Sequence, residues 1–123
     1  MRVLVGIEGS DESDVVLRNA IARAEEAGDS LTFAIFAKPE GGQDLDTIEA
    51  IVSAAIEESS IDAIITRIDD RDPASELVAI AEREGFEQLV VGGGRDTPLG
   101  KRYLGRITEF VLLNAEVTVR LER

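Results

Sequence analysis

The sequence predicts a single α/β domain built on a doubly wound, five-stranded parallel sheet, and three observations carry that expectation. Short apolar, β-branched runs recur with their starts roughly thirty residues apart. Helical patterns fill the intervals, and the runs are continuously apolar, as strands covered on both faces should be. The chain has 123 residues, 44% hydrophobic and 31% charged, enough to bury one core inside a charged shell and too few for a second domain, so residues 1–123 are read as one unit.

Each element has its own signal. Residues 3–7 form the first strand, and the helix after it carries the stripe Val16, Ala20, Ile21, Ala24 and Ala27, stopped by Gly28. Residues 31–37 form the second strand. The stretch 38–44, with one Pro and two Gly, is a loop inside the domain. Ile48, Ile51, Val52, Ala55 and Ile56 follow the i, i+3, i+4, i+7, i+8 spacing of one helical face. Residues 61–68 give the third strand, and Pro73 opens a third helix through Ala74, Leu77, Val78 and Ala81 to its stop at Gly85. Residues 89–91 are the fourth strand, Ile107, Phe110, Val111 and Asn114 mark the fourth helix, and residues 117–121 are the last strand. Right-handed crossovers, with both faces needing cover, make this a flavodoxin-like sheet of order 3-2-1-4-5 in three α/β/α layers.

Composition excludes several function classes. With no Cys and no His, the chain has no thiol nucleophile, disulfide, zinc finger or imidazole base. Acids outnumber bases 25 to 13, a net charge of −12, which opposes binding to nucleic acid or an anionic membrane surface. No apolar run is long enough to span a bilayer and no signal-peptide layout precedes the first strand, so the expected compartment is the cytoplasm. Only two of the 13 bases are lysines, Lys38 and Lys101, and so acidic a surface suits a salt-accumulating, halophilic host.

In an open α/β sheet, ligands bind beyond the carboxyl ends of the strands where the order reverses, here between strands one and four. The first loop there, Ile7-Glu8-Gly9-Ser10, has a glycine suited to a tight turn and a hydroxyl that can cap the next helix; it reads equally as turn and cap or as part of a site. The second is more specific: Gly92-Gly93-Gly94-Arg95 leads through Lys101, Arg102 and Gly105 to Arg106, Ile107 and Thr108 at the start of the last helix. Glycine amides unobstructed by Cβ, beside a helix N-terminus, form a phosphate cradle. Residues 1–87 carry 21 acids and 7 bases, whereas residues 88–123 carry 4 acids and 6 bases. A basic cluster in so acidic a chain points to an anion, with arginines paired to neighbouring carboxylates as the competing reading.

Three further candidates have plainer readings. Asp69, Asp70 and Asp72 suit an acidic turn and helix cap better than Mg²⁺. Thr108 and Glu109 are expected to face solvent or support the last helix's first turn, and the single tyrosine, Tyr103, to pack rather than stack on a base.

These stretches resemble the universal stress protein family over nearly the whole chain. The resemblance rests on residues 3–10, Asp72-Pro73-Ala74, residues 89–92 and residues 104–112. It implies an ATP or AMP site at the switch point, formed through a G-x2-G-x9-G-[ST] motif, and no required catalysis. Gly92 and Gly105 match the first and last glycines, but Arg95 replaces the middle one, Arg106 the small hydroxyl residue, and Glu8 the usual Asp. The two arginines either assist a phosphate or fill its pocket. The segment between Phe36 and Thr47 is also shorter than in most members, which removes material that could cover a ligand. The family's habit of pairing last strands implies a homodimer through Val117, Val119 and Leu121, which alternate with polar residues on an edge free of Pro and Lys. The rival reading is a dimeric interaction protein with a vestigial site. A phosphorylated receiver domain would need an acidic pair after the first strand and a lysine after the fifth; the chain has Glu8-Gly9 and Leu121-Glu122-Arg123 there.

Overall fold

Apolar runs and amphipathic stripes become strands and helices in the expected alternation. A computed structural model describes residues 1–9, 11–38, 42–93, 95, 96, 102, 103 and 105–122. The elements are β1 (Arg2–Ile7), α1 (Asp11–Ala27), β2 (Ser30–Ile35), α2 (Leu45–Glu57), β3 (Ala63–Arg67), α3 (Pro73–Arg83) and β4 (Gln88–Gly92), followed by the two-residue strands β5 (Arg95–Asp96) and β6 (Arg102–Tyr103), then α4 (Arg106–Asn114) and β7 (Thr118–Glu122). The main sheet runs β3-β2-β1-β4-β7, all parallel, which is the expected 3-2-1-4-5 order. The antiparallel pair β5–β6 is an addition inside what the sequence presents as one glycine-rich basic loop.

Successive strand residues point to opposite faces, so each apolar run feeds two cores. Val3, Val5, Phe33, Ile35 and Val90 pack under α1 and α2 with Leu17, Ile48 and Val52. Leu4, Ala34, Leu89 and Val91 face the other way, against Leu77 and Ala81 of α3 and Val111 of α4. Helix starts follow their caps. Asp44 accepts the Thr47 amide at 2.8 Å, which holds its carboxyl below the usual aspartate range, and Asp72 accepts the Ser75 amide at 3.2 Å ahead of Pro73.

One expectation fails at the sheet edge. The continuous apolar run at 61–68 predicts a strand covered on both faces, yet Ile64 on β3 is 66% exposed. A helix is about 10 Å wide and strands lie about 4.8 Å apart, so two helices cover about four strands and the fifth lies beyond their reach. α2 does reach β3 on the other face, where Arg67 bridges Asp46 at 2.6 Å and Glu49 at 2.7 Å.

Candidate functional site

The chain winds from β1 outward to β3 and then returns to the other side of β1 as β4, so the carboxyl ends of β1 and β4 bound the crevice. Val5 pairs with Val90 as the last pair of that ladder, and Ile7 and Gly92, two residues further on, are the last residues of β1 and β4. Ile7 is buried and Glu8 half-buried. Gly9 turns the chain at φ 73°, and a Cβ there would lie 2.5 Å from the Ile48 Cδ1 atom, so neither its backbone nor its surroundings admit a side chain.

On the β4 side, Gly92 still belongs to the sheet, in register with Glu122. The Gly93 amide donates to the Glu122 carbonyl at 2.6 Å, so it belongs to the ladder rather than to an anion cradle. Thr108, expected to face solvent or support its helix, is buried, and its hydroxyl donates to the Gly92 carbonyl at 2.9 Å. That bond pins the first turn of α4 to the end of β4. Glu109 is exposed, and its amide donates to the Gly105 carbonyl at 3.0 Å, opening the helix.

Gly105 is the N-cap of α4, with extended backbone (φ −70°, ψ 165°) and no side chain to accept the first-turn amides. A Cβ placed on it would meet nothing within 4 Å among the described residues. The amides of Arg106 and Ile107 therefore begin a helix whose positive end has no side-chain cap among the described residues. Arg106 is exposed and makes no ion pair among the described residues. Arg95 lies in β5, opposite Tyr103 of β6, and Asp96 lies opposite Arg102, so the ribbon sets Arg95 and Arg102 on neighbouring strands between the two glycine ends. Ser10, Gly94 and Lys101 lie outside the described residues.

The other candidates resolve structurally. Asp70 accepts the Asp72 amide at 3.0 Å and Asp72 caps α3; among the described residues no three carboxylates gather as a metal site. Val117, Val119 and Leu121 are partly buried and pack on the α3–α4 core. The opposite face of β7 carries Arg120, which bridges Glu122 and Gln88 at 2.8 Å each, while Asn19 of α1 reaches Glu122 at 3.2 Å. β7 pairs with β4 on one side, and its other edge has no strand partner among the described residues.

Two features escape a reading of the sequence. The β5–β6 ribbon is too short for any periodicity, although Pro98 and Gly100 between its strands are turn-forming residues. The Thr108 anchor depends on how α4 is set against β4, which spacing along the chain does not encode.

A family model described as the universal stress protein family matches residues 1–121. A universal stress protein from Archaeoglobus fulgidus superposes with a TM-score of 0.78 at 23% identity, covering 100% of this chain and 98% of that one. A universal stress protein in complex with cAMP gives 0.76 at 22% identity, covering 100% and 96%. The A. fulgidus universal stress protein in complex with dAMP gives 0.71 at 21%, covering 100% and 98%. At these identities the likeness is one of fold. No curated protein matches the chain at a significant level.

Proposed function

The chain belongs to the universal stress protein family, and on that footing we propose that it is a regulatory module that takes an adenine nucleotide, AMP or ATP, at the carboxyl ends of β1 and β4. The observation that carries this reading is the N-terminus of α4: among the described residues Gly105 leaves it without a side-chain cap and with no atom within 4 Å of a Cβ position, next to an exposed Arg106. A phosphate there accepts from the first-turn amides and is neutralised by the guanidinium. Glu8, at the end of β1, supplies a carboxylate suited to a ribose hydroxyl. Relatives of the same fold described as complexes with cAMP and dAMP lend support.

The test separates the site from the fold. Gly105 already has N-cap backbone angles, so Gly105→Asp should leave α4 as stable or improve it by about a few tenths of a kcal/mol. Its carboxylate would occupy the anion's place. Calorimetry should show AMP and ATP binding to the parent chain and at least about tenfold weaker binding to Gly105→Asp, a loss of about 1.4 kcal/mol, with no drop in melting temperature. Arg106→Ser should weaken binding as well; tighter binding would mean that Arg106 fills the pocket. Equal affinity in parent and Gly105→Asp would overturn the placement.

A second reading, a nucleotide-independent interaction protein, is favoured by the Gly93 amide's bond to Glu122, which withdraws one donor from the cradle. Parent protein that gives no heat with AMP, ATP or sulfate would establish it. In either reading we propose a homodimer through the open edge of β7, beside the Val117, Val119 and Leu121 face. Sedimentation in concentrated KCl, where the repulsion of two −12 chains is screened, should give the mass of a dimer. A monomer at high micromolar concentration would refute it.

A further inference from the structure

We propose that the groove between α1 and α2, which adjoins the nucleotide crevice at Ile7 and Gly9, is a binding site for a small hydrophobic cation. α1 lies over β1 and β4 and reaches β7, while α2 lies over β2 and β3 and is tied to the edge by Arg67. Two helices spread across five strands leave a gap, and the gap is a cavity of about 330 Å³. That volume lies at the small end of the range for small-molecule sites.

The cavity has an apolar floor and a polar rim. Leu17, Ile48 and Val52, all buried, form the floor, and Ile51, 41% exposed, stands at the mouth. Ser13, Asp14 and Gln43 bring a hydroxyl, a carboxylate and an amide to the rim. Among the described residues no Lys or Arg lines the cavity, so none of them neutralises a phosphate or carboxylate in it. The charge that complements it is positive. Asp14 is held by Arg18 at 2.6 Å, but both side chains are more than half exposed and one turn apart, a pair weak enough for a ligand's ammonium to displace. An aromatic or aliphatic body on the floor with an ammonium at Asp14 satisfies both halves of the lining. The groove also shares a wall with the β1 loop, since Ile48 packs directly on Gly9.

Benzylammonium, benzyl alcohol, benzoate and methylammonium, titrated into the isotopically labelled full chain at moderate salt and followed by amide chemical shifts, test the assignment. Benzylammonium should saturably shift Leu17, Ile48 and Val52 with a Kd of about 1 mM, benzyl alcohol should bind about fivefold more weakly, and benzoate should shift none of them. Methylammonium, which has the charge without the ring, should also leave them unmoved. Asp14→Asn should reduce benzylammonium to the level of benzyl alcohol, and Ile51→Trp, a surface change at the mouth that leaves the floor intact, should block both. Shifts spread over the acidic surface and matched by methylammonium, binding of benzoate as tight as that of benzylammonium, or no saturable shift at all would each overturn the proposal. AMP reports on different amides, those of Gly92 and residues 105–108. Binding of benzylammonium without AMP retains this site and removes the nucleotide reading, and AMP without benzylammonium does the reverse.

Discussion

Replacing Gly9 by valine is expected to destabilise the domain by about 2 to 5 kcal/mol, the sum of two separate penalties. A β-branched residue at φ 73° costs about 1 to 2 kcal/mol in backbone strain. The new Cβ would lie 2.5 Å from Cδ1 and 2.7 Å from Cγ1 of Ile48, which is 1% exposed, and such overpacking costs about 1 to 3 kcal/mol more. Urea unfolding of Gly9→Ala, Ile48→Ala and the double variant divides the two. Coupling of about 1 kcal/mol or more between the sites assigns that part of the loss to the collision. Strict additivity would leave backbone strain as the whole cause.

Phe33→Ala should remove about 3 to 5 kcal/mol, a large part of the roughly 5 to 15 kcal/mol by which a domain of this size is stable. Phe33 is fully buried on β2, among the side chains under α1 and α2, and the backbone on both sides of it is held by β1 and β3, so the vacated volume cannot collapse. Ile64→Ala on the neighbouring strand provides the contrast: with 66% of Ile64 already in water, the loss should stay below about 1 kcal/mol. Comparable shifts in the denaturation midpoints of the two variants would show that the outer face of β3 is covered in solution.

The sheet was legible because its strands are apolar at consecutive positions, as in Val3-Leu4-Val5 and Leu89-Val90-Val91, and because the helix between each pair permits only a parallel crossover. The exposure of Ile64 was not. An isoleucine in an apolar run has the same pattern at the centre of a sheet and at its edge, and only the reach of the helices distinguishes them. The point where the strand order reverses followed from topology, and the place of Gly105 and Arg106 at the entrance to α4 followed from the basic, glycine-rich segment. What local sequence could not convey was the use made of each donor. Gly93 gives its amide to Glu122, a residue of the last strand, and Thr108 turns its hydroxyl inward to Gly92, so two groups that look available in the sequence are engaged in joining elements. The α1–α2 groove left no motif because it arises from the spacing of two helices.

The position of β1 at the centre of the sheet governs the order in time in which the molecule can assemble. β1, β2 and β3 are neighbours along the chain as well as in space, so that half of the sheet can close early, with α1 and α2 over it. The other half begins only when residues 88–90 pair with residues 3–5, across a separation as large as the one between the Arg2 amide and the Glu87 carboxylate, 85 positions apart. Until then the half-sheet presents the bare edge of β1, an open template for the same edge of another unfinished chain. The segment made by that stage carries 21 acids against 7 bases, so two such intermediates repel each other while each waits for its own β4.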